Sequence, residues 1–81
     1  ARHGAGSPET ADAYRAAIGA AGAARDEAGV AMLTVNLGLF LAGDGRLDDA
    51  VVALREGAAI ARRLGGEGSD LAARAEAALV R

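Results

Sequence analysis

The stretch Asn36–Leu54, NLGLFLAGDGRLDDAVVAL, decides the fold. Two apolar runs flank the knot Gly43-Asp44-Gly45-Arg46. Glycines beside an aspartate can cradle a phosphate, wrap a calcium ion or turn the chain. A calcium loop needs oxygen ligands at alternate positions, a central Gly and a closing Glu. Here Arg46 and Leu47 fall where ligands belong, and Asp48-Asp49 read as the first turn of a helix. A phosphate loop follows a strand and usually carries a Lys. No strand pattern precedes Gly43, and the chain has no Lys. A dinucleotide fingerprint fails on the same missing strand. The knot reads as the turn of a helical hairpin.

Upstream of the turn, Val30, Leu33, Leu37, Phe40 and Leu41 form the broad apolar face of a helix from about Val30 to Ala42. Downstream, a helix begins near Leu47 or Asp48, with Leu47, Ala50, Val51, Leu54, Ala58, Ala61 and Leu64 at apolar positions. Asp48-Asp49 at its start and Arg62-Arg63 at its end match the macrodipole. Gly65-Gly66 stops it.

Further out, Ser7-Pro8-Glu9 is a helix start: a cap, a first-turn Pro and an acid at the positive end. Ala13, Tyr14, Ala17, Ile18 and Ala21 then recur at helical spacing, which predicts a helix running to about Glu27 and ending near Gly29. Ala1–Gly6 reads as a loose tail. Ser69 is expected to cap a fourth helix, with Asp70 in its first turn and Leu71, Ala75, Ala78 and Leu79 on one face. No segment shows sustained strand alternation, so the class is all-α. Gly19, Gly22 and Gly57 fall inside helices, where each costs about 1 kcal/mol relative to Ala. They either admit close helix contact or weaken the piece.

A shift of forty residues lays Ala13-Tyr14-Arg15 on Ala53-Leu54-Arg55 and Leu37-Gly38-Leu39 on Ala77-Ala78-Leu79. Helices one and three, and helices two and four, are therefore expected to be equivalents. The central segment resembles a tetratricopeptide repeat, whose pattern is W-x2-L-G-x2-Y, a turn, then A-x3-F. Thr34-x2-Leu37-Gly38-x2-Leu41 is followed by Gly45 and by Ala50-x3-Leu54 at that spacing. Thr34 stands for Trp, Leu41 for Tyr, Gly57 for a later Ala, and Arg62 where Pro is usual. The loss of Pro fits a longer third helix and a repeat nearer forty residues than about 34.

The resemblance implies antiparallel helix hairpins stacked as a short α-solenoid. It divides the chain into the second helix of a preceding repeat (7–29), one complete repeat (30–65) and the first helix of a following one (69–81). In hairpin packing of this kind Gly38 lets the helices approach, Ala50 is expected to face it, and Leu54, Leu37 and Leu41 fill the space around it. With Ala1 for an initiator Met and an end at Val80-Arg81, the chain is expected to be a piece of a longer protein.

Composition removes several function classes. Net charge is −2 with both signs interspersed, so no basic stripe invites nucleic acid. No Cys is present, which excludes thiolate metal sites and disulfides. The longest uncharged run, Ala28–Gly43, is shorter than the roughly 20 apolar residues of a membrane span. The expectation is cytoplasmic, without membrane contact, metal or cofactor. All nine basic residues are Arg, a bias of GC-rich bacterial coding. Arg2-His3-Gly4 is similar to the histidine-phosphatase motif but lacks its strand and its second His. Ser7 and Ser69 read as caps with no His to serve them, and Asp26-Glu27 and Asp48-Asp49 as solvated helix ends. Gly65-Gly66-Glu67-Gly68 reads as a loop between repeats. No catalytic set emerges.

What remains is a surface for a protein or peptide partner. The resemblance implies a concave groove lined by first helices, which points to Met32, Val35, Asn36, Leu39 and Gly43, with Glu76 and Leu79 on the fourth helix. Asn36 stands where the family often bonds a peptide backbone, or else it bonds a neighbouring helix. Glu76 takes the place of the basic pair that would clamp a terminal carboxylate. Other readings are the sensory region of a bacterial helix-turn-helix regulator and the helical appendage of a multidomain enzyme. Self-association through exposed end helices is a further expectation.

A solenoid needs about three repeats to bury a continuous core, and this chain holds about two. Thermal unfolding followed by circular dichroism should therefore give a low midpoint for the monomer. A sharp transition above the ordinary mesophilic range of about 45–65 °C would contradict this.

Overall fold

Three-residue connectors leave the chain little choice but to fold back on itself after each helix. The computed structural model describes the backbone of residues 8–66 and 68–79, organised as α1 (Pro8–Ala23), α2 (Glu27–Gly43), α3 (Leu47–Leu64) and α4 (Gly68–Leu79). The expected tail Ala1–Gly6 and the cap Ser7 lie outside the described residues. Among the described residues there is no strand, and the fold is an all-α stack of antiparallel hairpins. α2 lies close to all three other helices, while the backbone of α1 approaches α2 alone. The stack is a slab of 41 × 31 × 16 Å.

The first junction differs from the sequence expectation. The first helix ends at Ala23, and Glu27 and Gly29 belong to α2. Arg25 takes the left-handed conformation at φ 60°, where glycine is usual. Its N–H bonds the Gly22 carbonyl and the Asp26 N–H bonds the Ala21 carbonyl, closing the helix end. Asp26 then caps α2, its carboxylate accepting from the Gly29 N–H at 3.0 Å. A Cβ on Gly29 would lie within 2.4 Å of that carboxylate, so Gly29 makes room for a cap rather than stopping a helix.

The second junction repeats this geometry twenty positions later. Gly45 is left-handed at φ 83°, its N–H bonds the Ala42 carbonyl, and the Arg46 N–H bonds the Leu41 carbonyl. The Gly-Asp-Gly knot is the hairpin turn that the sequence led us to expect. Ser69, expected to cap the fourth helix, instead sits inside the first turn of α4, which starts at Gly68.

The core is built around reciprocal glycine contacts between α2 and α3. A Cβ on Gly38 would come within 2.6 Å of Leu54 Cγ and 3.1 Å of the Leu54 backbone N. A Cβ on Gly57 would come within 2.5 Å of Val35 Cγ2. Leu54, not Ala50, therefore faces Gly38. Ala50 joins Ala11, Leu37 and Leu41 in a second cluster, against which Tyr14, Ile18 and Phe40 pack. The antiparallel register continues to the open end, where Arg63 donates to Glu27 at 3.1 Å.

Burial corrects further expectations. Leu47 and Leu64 are exposed rather than core. Val35, expected on an open groove, is fully buried with Leu54, Ala58 and Ala75. By burial the forty-residue pairing matches α1 to α3 only in part, exposed Ala13 falling on buried Ala53, and it fails for α2 and α4. Buried Leu37 corresponds to exposed Ala77, and exposed Met32 to buried Ala72. The cause is that α4 turns Ala72 and Ala75 inward and leaves Asp70, Ala73, Arg74 and Ala77 outside.

The glycines inside helices divide cleanly. Gly19 and Gly22 meet nothing within 4 Å, whereas Gly38 and Gly57 are contact sites. Gly19→Ala should therefore stabilise by roughly 0.5–1 kcal/mol. Gly38→Ala should destabilise by about 1–2 kcal/mol, because backbone as well as side chain stands in the way. Urea midpoints moving in the same direction for both variants would refute this division.

Candidate functional site

α2 is apolar nearly all round, and its most open stripe runs through Ala28, Met32, Asn36 and Gly43. Two of these behave as open surface. Met32 is 50% exposed, and Asn36, one turn further on, is half-buried. Among the described residues no side-chain hydrogen bond ties Asn36 to a neighbouring helix. Leu39 and Leu79 lie deeper, partly buried against the Val35–Leu54–Ala75 cluster. Glu76 faces another way: it forms an ion pair with Arg62 of α3. Of the five residues singled out in the sequence, the structure brings Met32 and Asn36 onto one open stripe. Leu39 and Leu79 sit between helices, and Glu76 sits on the α3 side of α4.

A cleft of about 630 Å³ opens beside Met32, where the start of α2, the end of α3 and the start of α4 converge. Ala28, Met32, Leu64, Asp70, Leu71 and Arg74 line it. Leu64 is 41% exposed, so two of the large exposed apolar side chains, Met32 and Leu64, share this one depression. Both are anchored on helices whose inner faces are buried, so the walls are preformed. Asp70 and Arg74 lie one turn apart on α4 and put both signs of charge on the wall. The cleft can take an apolar side chain between Met32 and Leu64 while its edge meets polar groups of either sign.

Sequence reading missed Leu64, Asp70 and Arg74 as members of this surface. Leu64 has the period of a core residue, but it occupies the last turn of α3, beside Gly65, where no helix covers it. Asp70 and Arg74 carried a signal, since they are the charged positions of α4 spaced one turn apart. Their meeting with Met32 is a tertiary fact.

Among the described residues no three His, Cys, Asp or Glu side chains gather as metal ligands. No described helix is long and apolar enough to cross a membrane. No protein-family model matches the sequence, and no curated protein and no solved structure is significantly similar to it.

Surface residues and core residues should separate in stability. Met32→Ala and Leu64→Ala are expected to change unfolding free energy by no more than about 0.5 kcal/mol. Leu54→Ala should cost about 2–5 kcal/mol, since that side chain fills the Gly38 seat. Denaturant melts of the three variants check this, and a cost for Met32→Ala near that of Leu54→Ala would place Met32 in the core.

Proposed function

We propose that this chain is a non-catalytic protein–protein interaction module, a tetratricopeptide-like scaffold that holds a peptide or a partner protein on the open stripe of α2. One observation carries the reading. Two large apolar side chains, Met32 and Leu64, are held exposed at one preformed cleft. Clustered exposed apolar surface rimmed by polar groups marks interaction sites, and peptide recognition typically anchors one apolar side chain in such a pocket. Asn36 supports it, because a half-buried amide with no side-chain hydrogen bond among the described residues suits the backbone of an extended peptide. The stack of hairpins and the spacing Leu37-Gly38, Gly45, Ala50, Leu54 support the likeness to the repeat family. The cytoplasm is the compartment that fits a chain without Cys.

In this reading Met32 and Leu64 grip an apolar side chain of the ligand, Asn36 bonds its backbone, and Arg74 or Asp70 selects the charge beside it. Peptides selected from a displayed random library against the chain test this. They should compete with one another, and Met32→Glu should weaken them at least about tenfold by placing an unpaired charge in the apolar contact. Asn36→Ala should weaken them less. Selected peptides indifferent to both substitutions would sink the proposal.

A further inference from the structure

We infer that two copies of this chain exchange their first helices: each copy's α1 leaves its own α2, docks on the α2 of the other copy, and continues into its own α2 as one straight helix. The observation behind this is the first connector, Ala24-Arg25-Asp26. It holds neither Gly nor Pro, so none of its residues breaks a helix. It turns the chain because Arg25 is left-handed at φ 60°, and among the described residues no other non-glycine residue has a positive φ. That conformation is disfavoured for a side chain bearing a Cβ.

Turn and helix use the same bonding groups at this junction. In the turn the Arg25 N–H bonds the Gly22 carbonyl and the Asp26 N–H bonds the Ala21 carbonyl. In a continuous helix these two donors trade acceptors, Arg25 bonding Ala21 and Asp26 bonding Gly22. Moving Arg25 to the right-handed region therefore loses neither bond and removes the strain. It also supplies helical acceptors to the first N–H groups of α2, which a helix start leaves open. What it gives up is the cap that Asp26 places on Gly29. The second connector has no such alternative. There Gly43 and Gly45 flank Asp44, and Gly45 takes φ 83° without strain.

The occupant of the vacated α2 face is a second copy, because only α1 carries the side chains that fit it. The backbone of α1 approaches α2 alone. Its Ala11 sits with Leu37 and Leu41, and its Tyr14 ring lies 6.1 Å from the Phe40 ring. Every one of these contacts is remade between copies with identical residues, which makes exchange a low-cost route to a dimer. A straightened chain alone would leave Leu37 and Leu41 uncovered. The straight helix also has a continuous face. From Ile18 through Gly22, Arg25 and Gly29 to Leu33 each step is three or four residues. Antiparallel pairing in the α1–α2 register brings Gly22 of one copy near Gly29 of the other. Gly22 meets nothing within 4 Å in the single chain, and exchange gives it a close helix approach. α1 lines no part of the cleft beside Met32, so the dimer carries that cleft twice.

The test uses the 81-residue chain concentrated to about 1 mM. Sedimentation should show a dimer whose fraction rises with concentration. The chain holds one Tyr and one Phe, so their contact reports the exchange without ambiguity. In an equimolar mixture of isotope-labelled and unlabelled protein, refolded together, filtered NOEs should join the Tyr14 ring of one copy to the Phe40 ring of the other. Arg25→Gly frees the turn from strain and weakens the straight helix, so it should lower dimer affinity at least about tenfold. Asp26→Ala deletes a cap that only the turned form uses, at both junctions of the dimer, and should raise affinity about tenfold. Both substitutions lie in the connector and leave the α1–α2 contact as it is. The inference is overturned if the unaltered chain and Asp26→Ala both stay monomeric at that concentration. A dimer without the Tyr14–Phe40 contact between copies overturns it too, since the copies would then meet side by side, as does a dimer indifferent to Arg25→Gly.

Discussion

The structure depends on one reciprocal contact. α2 offers Gly38 as a seat for Leu54, and α3 offers Gly57 as a seat for Val35. Each helix contributes one large side chain and one vacancy, so the two axes approach without a cavity between them. This draws in the rest. With α2 and α3 at close range, alanines suffice to fill the interior: Ala31, Ala50, Ala53, Ala58, Ala61, Ala72 and Ala75 are all buried. A wider spacing would leave those methyl groups facing voids and forfeit their dispersion contacts.

The same economy sets what lies outside. The core has few large residues to bury; Leu41, Leu54 and Val35 are the largest that are fully enclosed. Met32 and Leu64 are comparable in size but lie away from the α2–α3 crossing, where glycine seats take Leu54 and Val35. The ion pairs add little rigidity by comparison. Glu27–Arg63 joins side chains 57% and 65% exposed, and pairs in that setting contribute about 0–1 kcal/mol.

The turn and the hairpin were legible in Asn36–Leu54, because Gly45 must be left-handed and the flanking apolar periods are long. Gly38 was legible as a packing residue, but its partner was not. Ala50 and Leu54 lie on neighbouring positions of α3, and only the crossing angle decides which of them meets the glycine. The end of α1 was illegible for a different reason. Arg25 adopts a backbone conformation that its type disfavours by roughly 1–2 kcal/mol, held by two helix-closing hydrogen bonds and the Asp26 cap. Local propensity points to Gly29; the tertiary structure overrides it. On the candidate surface, Met32 and Asn36 were readable from helical phase on α2 alone. Leu64 was not, because it has the period of a core residue at the uncovered end of α3, and Asp70 and Arg74 were not, because they reach the cleft through the rotation of α4, which an alanine-rich helix carries too weak a period to fix.

The two connectors share one backbone geometry, yet one holds Gly45 and the other Arg25 at the left-handed position. α1 also carries Gly19 and Gly22, and its backbone approaches only α2. Cooperativity in this chain is thus uneven. α2, α3 and α4 form a mutually contacting unit, whereas α1 can open without disturbing the glycine seats that join α2 to α3. Its amides should exchange with solvent through a low-energy local opening, and theirs mainly through global unfolding. The fold is in this sense a three-helix nucleus with a first helix joined to it across α2, and Arg25 shapes the junction.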